Sequence, residues 1–260
     1  MTIEQFEDWT ALAPGGVRVR FYQQCDSTNT VASQIAVNEP SEKALWITAK
    51  EQTSGRGRRG REWTSNAGNL YCSLLWRPAL TLSDLTSLPF ITALAVRDMF
   101  VSLGVDPTSV KCKWPNDILL SDKKASGILI ESSAKSKGQL DYVVIGIGVN
   151  LMHFPCDAAF SATSLLEHSG AVRSVSEAFK VLADHVYTRL EAFDVSNPAH
   201  VYREWSEHSW GLGEEREIRT ANEIFVGTPQ SLADDGGLEV LKNDGNILRI
   251  YAGDVFPTNK

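Results

Sequence analysis

Residues 52–63 read QTSGRGRRGREW, and this glycine–arginine segment is the most informative stretch of the 260-residue chain. Residues 55–60 match the pattern G-x-G-x-x-G, which alone is a weak signal. A dinucleotide-binding loop is followed by a helix that meets the pyrophosphate, whereas here REWTSN leads into a turn. A protein-kinase loop is excluded too, because the chain contains neither HRD nor DFG.

The same segment has the chemistry of an anion-binding loop. Glycines let backbone N–H groups approach an anion, and arginines present forked donors to carboxylate or phosphate oxygens. Five of the 25 basic residues lie within residues 50–63, although the whole chain has a net charge of −7. General nucleic-acid binding usually requires a basic excess, so we favour a local anionic ligand. A solvated loop with scattered charge is the alternative.

Composition indicates an ordinary globular protein, with 43% hydrophobic and 22% charged residues. Four cysteines stand apart without a CxxC pair, which predicts free thiols and no zinc site. The N-terminus MTIEQFEDWT lacks the features of a signal peptide. The longest apolar run, residues 88–96, is shorter than the roughly 20 residues of a membrane helix. We therefore predict a soluble, cytoplasmic protein without membrane association.

Hydrophobic periodicity predicts a mixture of strands and helices. The predicted strands are residues 17–22, 44–49, 69–76, 110–114, 118–120, 126–131 and 142–149. The predicted helices are residues 30–37, 83–103, 174–193 and 199–207. Beyond residue 210, four short alternating segments separated by glycine-containing turns predict a small all-β module. The predicted domains are therefore residues 1–210 and 211–260.

A second motif, KWPND at residues 113–117, places an ammonium, an amide and a carboxylate around a turn. A carboxylate beside a phosphate-binding loop suits magnesium, although Pro-Asn-Asp alone is also an ordinary turn. Lys124 precedes the strand that contains Gly127, and on its own it would be an exposed turn lysine. Residues 146–150, GIGVN, end a buried strand in a polar residue, where loops often carry ligand contacts.

The order of these segments resembles the biotin–protein ligases. The resemblance rests on DSTN at 26–29, residues 52–63, KWPND, Lys124 with GIL at 127–129, and GIGVN. It implies an α+β fold, in which a mixed-sheet, class II synthetase-like catalytic domain precedes a small SH3-like β-barrel. It also implies an ATP-dependent ligase that activates biotin as biotinyl-5′-AMP and releases pyrophosphate. The biotin is then transferred to a specific lysine of a biotin carboxyl carrier domain, with release of AMP.

The resemblance further implies the residues of the site. Biotin binding is expected of Ser27, Thr28, Asn29, Gln52, Gly55, Arg56, Arg58, Arg59, Trp63, Lys124, Gly127 and Gly148. ATP or adenylate binding is expected of Arg58, Arg59, Trp63, Lys113, Asn116 and Asn150. Lys124, Arg58 and Arg56 are the expected catalytic residues, with both arginines facing the carboxylate and phosphates. Asp117 is the expected ligand of Mg²⁺, and Ser126 stands where the family pattern predicts alanine.

The expected partner is a biotin carboxyl carrier protein or the carrier domain of a biotin-dependent carboxylase, and a homodimer stays open. Only 25 residues precede Asp26, too few for a winged-helix module, so we predict a ligase without DNA binding. A lipoate–protein ligase is disfavoured because that class lacks the GRGRRG and KWPND strings. A non-catalytic biotin-binding module is disfavoured because it would not require Lys124, Asp117 and Arg56.

Overall fold

The computed structural model describes residues 6–135, 138–156, 160–169 and 174–258. These residues form a large mixed sheet, five α-helices and a smaller antiparallel sheet. The α+β fold predicted from the sequence is confirmed.

The large sheet has eight strands in the order β1-β2-β3-β4-β8-β7-β6-β5. Its strands are β1 (Phe6–Asp8), β2 (Arg18–Cys25), β3 (Ala44–Gln52), β4 (Leu70–Trp76), β5 (Val110–Lys113), β6 (Asp117–Leu120), β7 (Lys123–Ala134) and β8 (Leu140–Val149). Strands β2 and β3 are parallel, and the other neighbouring pairs are antiparallel. The central strands are apolar on both faces because both faces are covered. Leu74 belongs to the larger core cluster, whereas the next residue, Leu75, belongs to the smaller one.

Helices cover the two faces of this sheet. They are α1 (Thr28–Asn38), α2 (Leu88–Ser102), α3 (Leu165–Ser169), α4 (Val175–Glu191) and α5 (Ala199–Glu207). A 3₁₀ turn extends α2, so that the helical stretch Asp84–Ser102 has the length and mean hydropathy (1.3) of a membrane span. It is longer than the apolar run read from the sequence. However, 61% of its most apolar window is buried inside the protein, as expected for a core helix.

The C-terminal sheet is open. Its strands are β9 (Arg216–Arg219), β10 (Ile224–Leu232), β11 (Leu238–Lys242), β12 (Ile247–Ile250) and β13 (Asp254–Pro257). Their order is β12-β11-β10-β9-β13. Within the described residues the two edge strands, β12 and β13, are not paired with each other, so the expected barrel is not closed. Ile218 and Val240 lie in the larger core cluster, which joins this sheet to the rest of the molecule. The domain boundary after residue 210 stays a prediction.

Candidate functional site

A cavity of about 600 Å³ lies where the carboxyl end of β3 meets β7, β8 and the C-terminal sheet. It is lined by every residue predicted for the site except Gly55 and Arg59. Those lining residues are Ser27, Thr28, Asn29, Gln52, Arg56, Arg58, Trp63, Lys113, Asn116, Asp117, Lys124, Gly127, Gly148 and Asn150. The structure thus brings the separate sequence motifs together around one space.

Gly55 and Arg59 support the glycine–arginine loop from outside the cavity lining. A Cβ atom on Gly55 would lie 2.3 Å from the carbonyl oxygen of Trp63, so only glycine permits this close approach. The Trp63 N–H donates to the Gly55 carbonyl at 2.9 Å. Arg59 has a left-handed φ of 56°, and its side chain lies 4.0 Å from Asp254.

One end of the cavity consists of neutral polar groups at the N-terminus of α1. Ser27 occupies the N-cap position, yet its side chain makes no capping hydrogen bond and lines the cavity instead. The backbone N–H of Thr28 donates to Gln52 Oε1 at 2.8 Å, and Gln52 Nε2 donates to Ser65 Oγ at 2.8 Å. This neutral end suits an uncharged polar ligand group.

Asn29 is held at the neutral end by groups that the sequence did not identify. Its Nδ2 donates to Glu131 Oε2 at 2.7 Å, and its Oδ1 accepts from Ser73 Oγ at 2.6 Å. A Cβ atom on Gly146 would lie only 2.1 Å from Asn29 Oδ1, so a glycine is required beside it. The amide of Asn29 is therefore engaged largely within the protein.

The indole of Trp63 lies directly on a floor of two glycines. A Cβ atom on Gly148 would lie 2.5 Å from Trp63 Cε2, and one on Gly127 would lie 2.9 Å from Cζ3. Any larger residue at either position would displace the indole. The Ser126 hydroxyl donates to the Gly148 carbonyl at 2.7 Å, so the serine in place of alanine ties β7 to β8 beneath this floor.

The opposite end of the cavity carries charged groups around Asp117. Its Oδ1 lies 2.6 Å from Lys124 Nζ and its Oδ2 lies 3.5 Å from Lys113 Nζ. Lys113 is only 3% exposed, and burial lowers its pKa against the opposing effect of Asp117. Burial would raise the pKa of Asp117, but the ammonium groups of Lys124 and Lys113 hold it below its usual value. The Lys124 ammonium also lies 5.3 Å from the centroid of the Trp63 ring.

The surroundings of Asp117 do not fit a magnesium site formed by the protein. Both of its oxygens already contact ammonium groups. The described part of the chain contains no cluster of three or more His, Cys, Asp or Glu side chains suited to a metal. Magnesium prefers several oxygen ligands in octahedral geometry. The geometry therefore assigns Asp117 to an ion pair and not to the expected role of metal ligand.

The two arginines expected at the phosphates lie at different ends of the cavity. Arg58 Nη1 donates to Asn116 Oδ1 at 3.2 Å, which places it near the charged end, and burial lowers its pKa. Arg56 instead pairs with Glu131 at 3.1 Å, beside the neutral end, and its side chain is 44% exposed. Only Gly57, with an extended backbone, lies between them, and Arg58 begins the 3₁₀ turn Arg58–Gly60.

The C-terminal sheet also contributes to the cavity, which the sequence analysis missed. Asp254 and Phe256, both on β13, line it. Arg61 Nη2 donates to Asp254 Oδ1 at 2.9 Å, which joins the glycine–arginine loop to this sheet. On the other side, Asn150 Nδ2 donates to the Thr163 carbonyl at 3.0 Å and fastens the loop after β8.

The large mixed sheet carries a cavity with a neutral hydrogen-bonding end and a cationic end, which suits a small polar ligand beside an anionic one. Residues 21–150 match the model of the biotin/lipoate A/B protein ligase family. The chain belongs to this family.

Relatives and solved structures agree with this assignment. A biotin–[acetyl-CoA-carboxylase] ligase from Paracoccus denitrificans is 34% identical over 238 residues, which cover 89% of this chain and 97% of the relative. The biotin protein ligase from Aquifex aeolicus, solved with biotin and ATP, has a TM-score of 0.76 and 28% identity and covers 91% of this chain and 97% of its own. The biotin protein ligase from Leishmania major, solved with biotinyl-5-AMP, has a TM-score of 0.62 and 28% identity, with coverages of 90% and 98%.

Proposed function

We propose that this chain is an ATP-dependent biotin–protein ligase, which forms biotinyl-5′-AMP and transfers biotin to a lysine of a carrier domain. The observation that carries the proposal is the single cavity with a neutral end and a cationic end. The neutral end suits the cyclic urea of biotin, and the cationic end suits its carboxylate and the phosphates of ATP. The similarity to ligases solved with biotin and ATP and with biotinyl-5-AMP supports this assignment.

In the first half-reaction, a carboxylate oxygen of biotin attacks the α-phosphorus of ATP. The new P–O bond forms as the bond to pyrophosphate breaks, which leaves a mixed anhydride of biotin and AMP. The protein performs little covalent chemistry, so its contribution is positioning and charge stabilisation. Lys124, Lys113 and Arg58 supply the positive charge, and Asp117 holds the two ammonium groups in place.

In the second half-reaction, the amine of a carrier lysine attacks the acyl carbon of the anhydride. The lysine ammonium first loses one proton to solvent to give the neutral amine, the nitrogen loses a second proton to solvent as the amide forms, and AMP leaves with the electrons of the broken C–O bond. The glycine–arginine loop keeps water from the anhydride until the carrier arrives, because Arg58 and Trp63 both line the cavity. The hydrogen bond from Arg61 to Asp254 fastens this loop to the C-terminal sheet.

Magnesium enters this scheme with the nucleotide. Phosphate oxygens and water supply most ligands of Mg²⁺ in many nucleotide sites, so the chain needs few ligands of its own. Since Asp117 is paired with two lysines, we assign no protein ligand to the ion. Bound together with ATP, Mg²⁺ would neutralise phosphate charge.

The partner in this proposal is the biotin-accepting domain of a carboxylase. The name of the Paracoccus denitrificans relative, a biotin–[acetyl-CoA-carboxylase] ligase, supports this choice. A cytoplasmic location and the absence of DNA binding remain predictions from the sequence, and a homodimer stays open.

Pyrophosphate exchange tests the first half-reaction alone. Purified protein is incubated with MgATP and labelled pyrophosphate, with biotin, with lipoate or with neither acid. We expect label to enter ATP when biotin is present and to stay at background otherwise. Exchange driven by lipoate and not by biotin would overturn the proposed substrate.

A further inference from the structure

We propose that Phe160 and Phe256 are positioning residues, whose two rings form an aromatic cradle that holds the ammonium of Lys113 as a cation at the charged end of the cavity. Phe160 precedes α3, Phe256 lies on β13, and both line the cavity. They act on the reaction through Lys113. The inference rests on the proposed function, because Lys113 is one of the cations assigned to the phosphates of ATP.

The ammonium of Lys113 is removed from water and shares its carboxylate. Its side chain is 3% exposed, and its Nζ lies 3.5 Å from Asp117 Oδ2. The other oxygen of Asp117 makes a shorter contact, 2.6 Å, with the ammonium of Lys124. A buried charge needs compensating partners, because the protein interior solvates it less well than water. Half a share in one carboxylate leaves part of this need to be met by other groups.

Two aromatic rings lie where such groups are needed. Lys113 Nζ is 4.8 Å from the centroid of the Phe160 ring and 5.7 Å from that of the Phe256 ring. A cation within roughly 6 Å of a ring centroid is attracted to the negative face of the ring, and more strongly when the cation is desolvated. Phe160 should contribute more, because its ring is nearer and because the Phe256 ring also lies 4.2 Å from the guanidinium of Arg219.

The cradle is fixed by further ring contacts. The ring centroids of Phe160 and Phe256 are 6.2 Å apart, and the Phe160 ring meets the Trp210 ring edge-on at 5.6 Å. The Trp210 ring in turn lies 4.4 Å from the guanidinium of Arg216. Edge-to-face contacts of this kind favour one ring orientation over others. The C-terminal sheet and the segment that leads into it therefore hold the Phe160 face against Lys113.

An aromatic cradle stabilises a cation without cancelling its charge. A second carboxylate beside Lys113 would also stabilise the ammonium, but it would repel the phosphates of the nucleotide. The rings have no net charge, so the positive charge of Lys113 stays available to an anionic ligand. Lys124 has a similar arrangement, since its ammonium lies 5.3 Å from the centroid of the Trp63 ring. Each ammonium that contacts Asp117 thus also lies against an aromatic ring.

Fluorinated phenylalanines test the cradle, because fluorine withdraws electrons from the ring face and changes the shape of the ring little. Mono-, di- and trifluorophenylalanine are introduced at position 160, and the KM for MgATP is measured by biotin-dependent pyrophosphate exchange. We expect this KM to rise with each fluorine, by about 3- to 30-fold in total, while the Kd for biotin from calorimetry changes by less than about 2-fold. The same series at position 256 should give a smaller rise.

Three further variants show whether the effect passes through Lys113. The Phe225 ring lies 4.6 Å from Lys242 Nζ and is not part of the cavity lining, so the same fluorination at Phe225 should leave the KM for ATP unchanged. In Lys113→Met the cation is gone, and fluorination at Phe160 should no longer change this KM. Phe160→Leu keeps an apolar side chain without a ring face. It should raise the KM at least as much as trifluorination, and it replaces the trifluorinated variant if that variant folds poorly.

The outcomes separate this inference from the proposed function. A KM for ATP that stays at the wild-type value throughout the series at Phe160, or in Phe160→Leu, overturns this inference alone. A rise that persists in Lys113→Met also overturns it, because the ring would then act on the nucleotide directly. An equal rise on fluorination of Phe225 overturns it as an unspecific effect. Absence of biotin-dependent exchange in the wild type overturns the proposed function as well.

Discussion

Replacing Asp117 with Asn removes the carboxylate that lies between Lys124 and Lys113 and keeps the volume of the side chain. Lys124 is partly exposed and can be hydrated again, whereas Lys113 is only 3% exposed and loses its partner. Breaking a buried ion pair in this way costs about 3–5 kcal/mol. Deprotonation of Lys113 sets an upper limit on this loss of stability. Keeping a lysine neutral at pH 7 costs about 1.4 kcal/mol for each pH unit between pH 7 and the ordinary lysine pKa of about 10.4, or about 4–5 kcal/mol in total.

The destabilisation by Asp117→Asn should therefore depend on pH. Burial already lowers the pKa of Lys113, and removal of the carboxylate lowers it further. The folded variant then binds fewer protons than the unfolded chain, so its free energy of unfolding rises with pH by up to about 1.4 kcal/mol per unit. We expect the loss relative to the wild type to shrink to about 2 kcal/mol at pH 9.

Urea denaturation followed by tryptophan fluorescence at pH 7, 8 and 9 measures this dependence. Asp98→Asn is the matched control, because the partners of Asp98 are arginines, which stay protonated in this range. Arg189 Nε lies 2.7 Å from its Oδ2, and Arg97 Nη1 lies 3.5 Å from its Oδ1. Its loss of stability should be small and constant from pH 7 to 9. A loss below about 1 kcal/mol for Asp117→Asn at pH 7, or one that does not shrink towards pH 9, would refute the assigned ion-pair geometry.

Three further substitutions test the cavity. Lys124→Ala should slow adenylate formation by about 100-fold or more and change biotin affinity much less. Stopped-flow kinetics and a binding assay measure the two effects. An equal loss of both would contradict the role of Lys124 in charge stabilisation. Arg58→Gly should let biotinyl-5′-AMP escape from the protein at least about 10-fold faster. The released adenylate is measured in the filtrate after the protein is removed by ultrafiltration. Retention equal to that of the wild type would argue against a closing loop. Gly148→Ala should weaken biotin binding and cost about 1–3 kcal/mol of stability, because its Cβ would lie 2.5 Å from Trp63. Gly57→Ala, whose Cβ would meet nothing nearer than 3.5 Å, is the control, and equal biotin affinities of the two variants would contradict the glycine floor.

Local periodicity predicted the elements whose pattern is long and continuous. The helix predicted at residues 199–207 is α5, Ala199–Glu207, and the strand predicted at 69–76 is β4, Leu70–Trp76. The edge strands β1, Phe6–Asp8, and β13, Asp254–Pro257, were missed. Such short strands are defined by their pairing with a distant strand, which no local pattern reveals.

The same reasoning applies to the site. Nearly half of the lining residues were predicted, because they belong to short, characteristic strings, as Lys113 does in KWPND. Their supporting groups were not predicted, since Glu131 is 102 positions from Asn29 and Asp254 is 193 positions from Arg61. Contacts at such separations depend on the order of strands in the sheet.

Transfer of biotin to a carrier tests the central claim most directly. Purified protein, MgATP, labelled biotin and a biotin carboxyl carrier domain are mixed, and the label on the carrier is located by mass spectrometry. The account predicts about one biotin per carrier domain, on a single lysine, and no label when ATP is omitted. Label from lipoate without label from biotin, or biotin transfer that does not require ATP, would contradict it.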